Sequence, residues 1–206
     1  LRSSYTTMVD CQNFLLIFFF IMGYCTEFSG SLTITPALTN EQSDFIKLHA
    51  NTRRMKRDPN VLLQMYGWEH FILPWANNYG PDGSYFARDD WNYGQNQNDK
   101  SIINFNAAPQ WLSLWCPWTI NSEWELECES GKAYEYKEWL EFMIEHFFKP
   151  WGCTLAWVVH YRWEDFTDVG QIIVKDNVVV KQDADQSEQK NTILKSLLYI
   201  TWLICI

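Results

Sequence analysis

Positive charge is scarce in this chain. Lys and Arg number 16 against 25 Asp and Glu, a formal net charge of -9 at pH 7. Such a balance repels nucleic acid and anionic membranes, which argues against a nucleic-acid partner without closing that option. The 6 cysteines include no Cys-x-x-Cys, so a structural zinc site has no support. There is no Gly-x-Ser-x-Gly elbow, no phosphate-binding glycine loop and no dinucleotide fingerprint. None of His49, His70, His146 and His160 has the i, i+4 partner of a metal-binding helix. The sequence thus implies no metal and no cofactor, and it assigns no catalytic residue. Apolar runs are short too: neither Phe14–Ile21 nor Leu197–Ile206 reaches the ~20 residues of a spanning helix. No internal repeat is visible.

What is present is the composition of a packed domain. Of 206 residues, 47% are apolar and 20% charged, which excludes intrinsic disorder, a coiled coil or a collagen-like fibre as the main state. Aromatics reach 17%, with 12 tryptophans, implying a dense core plus some exposed rings. One domain is expected over residues 22–182. Residues 1–21 read as an apolar N-terminal extension and 183–206 as a polar linker with an apolar tail. The stretch 14–25 lacks the basic flank and the small residues of an export signal, so a cytoplasmic location is expected; if that stretch is an export or anchoring segment, the chain is membrane-associated or exported.

Phe28-Ser29-Gly30-Ser31-Leu32-Thr33-Ile34-Thr35 alternates like a half-buried strand, and Pro36 ends it. Thr39 with Gln42 forms a capping box, opening a helix that carries Phe45, Ile46 and Leu48 toward Arg53-Arg54-Met55-Lys56-Arg57. Asp58-Pro59 marks a break. From Trp68 to Ser113 periodicity fades into turn residues with aromatics between them, a loop expected to carry short strands of its own and the first place to look for a binding surface. Leu114–Ile120 and Trp124–Glu129 then read as a hairpin pairing Ile120 with Trp124 and Cys116 with Cys128, with Glu125, Glu127 and Glu129 as a solvated row rather than a cation site. Trp139, Leu140, Met143, Ile144, Phe147 and Phe148 make the apolar stripe of a second helix, stopped by Pro150 and Gly152. Leu155, Trp157, Val159, Tyr161 and Trp163 fall on one face of a long strand, and Asp176-Asn177 turns a closing hairpin. This order predicts an α+β, ferredoxin-like βαββαβ antiparallel sheet with two helices on one face, plus the C-terminal hairpin and a long aromatic loop left outside.

The strand around Gly30-Ser31-Leu32, the helix ending in Arg53-Arg54-Met55-Lys56-Arg57 and the segment Leu114-Trp115-Cys116-Pro117-Trp118 together resemble a family of small uncharacterised bacteriophage and mobile-element proteins. Lys149-Pro150-Trp151-Gly152 and the close Ile172-Ile173-Val174-Lys175-Asp176-Asn177 complete the resemblance, which spans 22–182. It implies those domain limits, Met22 as the natural start and a phage-like origin, and it brings no assigned activity. Two departures stand out: Ala156-Trp157 replaces the family's Asn-Gly turn after the second helix, and Pro117 stands where a polar residue is usual.

Three functions follow. The first is a non-enzymatic interaction module that binds a protein partner through its aromatic loop (Tyr79, Tyr85, Phe86, Trp91, Tyr93), since Tyr and Trp dominate interface hot spots. Arg53, Arg54, Lys56 and Arg57, the only dense basic patch, would contact phosphate or an acidic partner; otherwise they simply complement a helix C-terminus. The alternative is an RNA or single-strand binder stacking bases on Trp118 or Trp124, with the same cations on phosphate. The third is a small enzyme using loop residues such as His70 and Asp90. Free, buried thiols are expected, as in a reducing compartment.

Overall fold

The computed structural model describes residues 25–67, 79–88, 92–108, 112–163 and 168–184. Strands β1 (Thr26–Ser29) and β2 (Thr33–Thr35) are two parts of one extended segment. Both pair antiparallel with a later strand, Thr154–Trp163, at one unbroken register, from Thr26 opposite Trp163 to Thr35 opposite Thr154. Gly30 lies at the interruption with φ +91, where a Cβ would stand 2.8 Å from the Val158 carbonyl oxygen; only glycine fits this approach.

Helix α1 (Asn40–Asn51) opens on the expected capping box, with Thr39 and Gln42 each satisfying the other's backbone N–H. It stops before the basic run. Thr52 turns the chain into extended backbone, its hydroxyl donating to the Leu48 carbonyl at 2.7 Å. Arg53–Arg57 therefore lies beyond the helix, not in its C-terminal turn, and Lys56–Arg57 forms β3. Asp58 then caps a helix that sequence reading missed, α2 (Pro59–Tyr66), by accepting from the Asn60 and Val61 N–H groups with Pro59 in the first turn. Strand β4 (Ile102–Asn104) pairs with β3.

Strands β5 (Trp118–Ile120) and β6 (Leu126–Cys128) form the next antiparallel pair, two residues out of the expected register: Trp118 faces Cys128 and Ile120 faces Leu126. The five-residue connection is closed by Asn121, whose side chain accepts from the Glu123 and Glu125 N–H groups. Trp124 therefore leaves the strand at φ +66 and is exposed. Reciprocal backbone bonds between Leu32 and Leu126, and between Thr26 and Gly131, join β6 to the far side of β1–β2.

Helix α3 (Tyr136–Met143) runs on as a π-type turn, Ile144–Phe148. Strands β7 (Thr154–Trp163), β8 (Val169–Lys175) and β9 (Val178–Asp183) then pair in sequence, antiparallel, with Asp176 and Asn177 as the turn between the last two. Trp139, Met143 and Phe147 of the helical stretch are buried with Phe45 and Ile46 of α1 against Leu32, Leu126, Leu155, Val159, Tyr161 and Ile172. Trp157 does not join them. Its φ of +123 breaks the alternation of β7, leaving the ring 69% exposed. The fold is mixed α+β, built on antiparallel sheets.

Three expected aromatic loop residues, Tyr79, Tyr85 and Phe86, belong to the interior. Tyr85 packs edge-on to Phe147 with ring centroids 5.5 Å apart, and its hydroxyl meets His146 Nδ1 at 2.9 Å. Tyr79 joins Leu62 and Phe86 in a second, smaller core, its hydroxyl donating to the Gly67 carbonyl at 2.7 Å. Each tyrosine finds apolar cover and a partner for its polar atom, so neither needs solvent.

Candidate functional site

The Arg53–Asp58 segment, expected as a surface patch, is an internal spine. Its backbone N–H groups bind four separate pieces of the long loop: Arg53 donates to the Tyr93 carbonyl, Arg54 to Leu114, Lys56 to Ala107 and Asp58 to Ser101, all at 2.7–2.9 Å. The side chains continue the work. Arg57, 1% exposed, donates through Nη1 to Asp99 at 2.7 Å and to Ser101 Oγ at 3.0 Å, and through Nη2 to the Gly94 carbonyl at 2.6 Å. Arg54, 2% exposed, donates to the Thr52 and Ser84 carbonyls. Arg53 is buried and donates to the Phe105 carbonyl. Of the four cations only Lys56 reaches solvent, pairing with Asp82 at 3.2 Å. Guanidinium groups suit this role, because several donors in a planar fork can each satisfy a loop carbonyl that would otherwise be buried alone.

Beside this spine the loop encloses a cleft of about 600 Å³, within the size range of small-ligand sites. Tyr66, Phe86 and Phe105 supply rings, Asn92, Gln95, Asn96 and Gln97 supply amides, and Arg88 and Asp99 supply charge. A guanidinium carbon lies over each ring: Arg88 over Tyr66 at 4.1 Å, Arg57 over Phe86 and Arg53 over Phe105 at 4.2 Å. Burial pushes the Asp99 carboxyl up, but hydrogen bonds from Ser101 and the charge of Arg57 outweigh it and hold the group below the usual carboxylate range. Burial, and then the Asp99 charge, raise the Tyr66 phenol, which donates to Asp99 at 3.2 Å. The cleft's carboxylate and phenol are thus engaged with each other and with Arg57, leaving neither poised as a base.

The surface around the cleft carries Tyr93, 54% exposed, in edge-to-face contact with Trp115, 42% exposed, at 6.4 Å. Both are anchored by the spine, through the carbonyls of Tyr93 and Leu114. Of the expected aromatic surface, then, Tyr93 is on the outside, Tyr79, Tyr85 and Phe86 are inside, and Trp91 lies outside the described residues. Sequence reading missed Trp115 and the lining residues Tyr66, Arg88 and Phe105. The turn residues with aromatics between them did mark this loop, but nothing in the sequence marked Asp99 as the buried partner of Arg57.

The remaining candidates sit away from solvent or away from each other. Trp118, a proposed base-stacking platform, is fully buried, its indole N–H donating to the Tyr136 carbonyl at 2.6 Å. His49 is buried among Phe45, Trp139, Phe142 and Phe147, and burial, then the Arg54 charge, hold its imidazole well below its ordinary value. Burial pushes the Cys116 thiol up to about 12, and Cys128 up as well, so neither is an activated nucleophile. His70 and Asp90 lie outside the described residues. Among the described residues no group of His, Cys, Asp and Glu could hold a metal ion, and no helix is long and apolar enough to cross a membrane.

No family model, no curated protein and no solved structure matches this chain.

Proposed function

We propose that this chain is a non-enzymatic interaction module that takes a protein partner on the face formed by residues 92–108 and Trp115. The observation that carries this reading is the Tyr93–Trp115 pair: two large rings exposed side by side, Tyr93 bonded through its own carbonyl to Arg53 and Trp115 following Leu114, whose carbonyl accepts from Arg54. Rings held in place lose little freedom on binding, which is what makes an aromatic anchor effective. The neutralised Asp99–Arg57–Tyr66 group next to it favours binding over catalysis. The nucleic-acid alternative is weakened, since Trp118, Arg53, Arg54 and Arg57 are all buried.

We read the sheet as ferredoxin-like. Its neighbours β5, β6, β1–β2 and β7 run antiparallel throughout, with α1 following the first strand segment and α3 preceding β7, and this order supports that reading. Residues 52–117 are then an insertion that builds the binding face, and β8–β9 an added hairpin. A phage-like origin and a cytoplasmic location belong to the same proposal; the free thiols of Cys116, Cys128 and Cys153 are consistent with a reducing compartment.

The test is affinity capture with cross-linking, comparing the intact chain with the Tyr93→Ala/Trp115→Ala double variant. Capture of a discrete partner, lost in the double variant while its circular dichroism stays native, is the expected result. Equal capture by both chains would place the contact elsewhere.

A further inference from the structure

Building on the proposed binding role, we infer that the cleft beside Tyr93 receives a carboxylate side chain from an acidic peptide segment of the partner, with Arg88 as its counter-ion. Among the described residues the charges around the cleft do not balance. Three guanidinium groups stack on its rings, yet Asp99 is the only carboxylate in its described lining, and that group is already paired with Arg57. Among the described residues, Arg53 and Arg88 have no ion-pair partner. Arg53 at least donates to the Phe105 carbonyl; Arg88 Nη1 is covered and has no hydrogen-bond acceptor. A covered guanidinium N–H without an acceptor is costly, and an anion entering the cleft offsets that cost.

The rest of the lining suits a carboxylate. Gln95, Asn96 and Gln97 offer amide N–H donors beside Arg88 without adding negative charge. The loop that carries them is set in advance: Gln95 N–H donates to the Asn92 carbonyl at 2.8 Å, Asp99 N–H to Asn96 at 3.0 Å, and Arg57 holds the Gly94 carbonyl. A planar carboxylate matches the fork of a guanidinium and a single charge matches Arg88. A long polyanion would meet the field of a chain whose net charge is -9, whereas a short acidic segment meets mainly the local charge of the cleft.

The test uses the intact chain and two labelled, end-blocked peptides, Gly-Glu-Gly-Glu-Gly and its glutamine counterpart, followed by fluorescence anisotropy. The glutamate peptide is expected to bind about tenfold more tightly than the glutamine peptide, and less tightly as salt rises. Arg88→Gln should abolish the difference and Arg88→Lys retain part of it, while Tyr93→Ala/Trp115→Ala should leave the difference in place. Should Arg88→Gln lose its native circular dichroism, Asn96→Ala, at an exposed lining amide, replaces it and should weaken the glutamate peptide several-fold. Equal affinity for the two peptides, no saturable binding at millimolar peptide, or wild-type discrimination by a folded Arg88→Gln chain would overturn the inference. So would displacement by inorganic phosphate at far lower concentration than by acetate, which would mark a phosphate site. If Arg88→Gln still captures the partner that Tyr93→Ala/Trp115→Ala loses, the carboxylate site fails and the module role stands.

Discussion

Arg57 shows why a cation can be a core residue. Every face of its guanidinium is used: Asp99 and Ser101 on one nitrogen, the Gly94 carbonyl on the other, and the Phe86 ring beneath. Even the backbone alongside is fitted to it, since a Cβ on Gly83, which has φ +73, would stand 2.7 Å from Arg57 Cβ. Asp99→Asn keeps the shape and removes the counter-charge, leaving the guanidinium buried and uncompensated; a loss of about 3–5 kcal/mol is expected in urea unfolding. A loss under about 1 kcal/mol, the scale of an exposed pair, would mean that the ion pair is solvated after all. His49 makes a second prediction at this scale. Burial, with the Arg54 charge, keeps it neutral in the fold far below 6.5, whereas in the unfolded chain it takes up a proton near that value. Below 6.5 the unfolded state therefore binds more protons, so the stability present above that pH is lost as pH falls. Half-buried His146, also lowered chiefly by burial, acts in the same direction. Urea midpoints should drop from neutrality to about pH 5, and the drop should be shallower in His49→Gln; an unchanged slope would remove His49 as its source.

At the scale of the element, what the sequence revealed depended on whether a rule is local. The Thr39–Gln42 capping box lies within four residues, and the Trp139–Phe148 stripe follows from helical spacing, so both were legible. The end of α1 was not, because Thr52 is turned by the Leu48 carbonyl and by the Arg88 backbone, 36 residues on. Trp157 looked like a core residue by alternation, but the positive φ that points it outward is a tertiary feature opposite the Gly30 interruption. The β8–β9 connection combines both kinds of information. Asp176 and Asn177 both have positive φ, as a two-residue hairpin requires. Asn177 adds a contact no turn rule contains: its side-chain oxygen accepts from the Leu155 N–H at 2.7 Å and its amide donates to the Cys153 carbonyl at 2.9 Å, tying the turn to the start of β7. Asn177→Gly keeps the backbone preference and loses both bonds; Asn177→Ala loses all three. Destabilisation of about 1–3 kcal/mol is expected for glycine and more for alanine, read from thermal unfolding. Equal losses would show that the side-chain bonds, not the turn, carry the effect.

The whole molecule divides along the same line. The helix-backed sheet is held by periodic apolar residues, and periodicity can be read. The long loop is held by guanidinium groups on loop carbonyls, which leave no periodic trace, so four clustered cations looked like a surface patch and Tyr79, Tyr85 and Phe86 like exposed rings. The two parts also differ in how much apolar surface secures them. Leu62, Tyr79 and Phe86 form a small cluster, whereas the main core spans both long helical stretches and the sheet. Small clusters open first, ahead of global unfolding. Arg57→Gln should therefore speed amide exchange about tenfold or more at Asp99 and Ile102, whose N–H groups bond to the Asn96 and Asp99 carbonyls, and at Asp58, bonded to Ser101. Amides in the middle of β7 and β8, such as those of Val159 and Ile172, should keep rates set by global stability alone. Equal acceleration at both places would show one cooperative unit, with the long loop as firmly held as the sheet. Selective acceleration would place the candidate cleft on a separately opening layer, held shut by the same arginine that sequence inspection assigns to the surface.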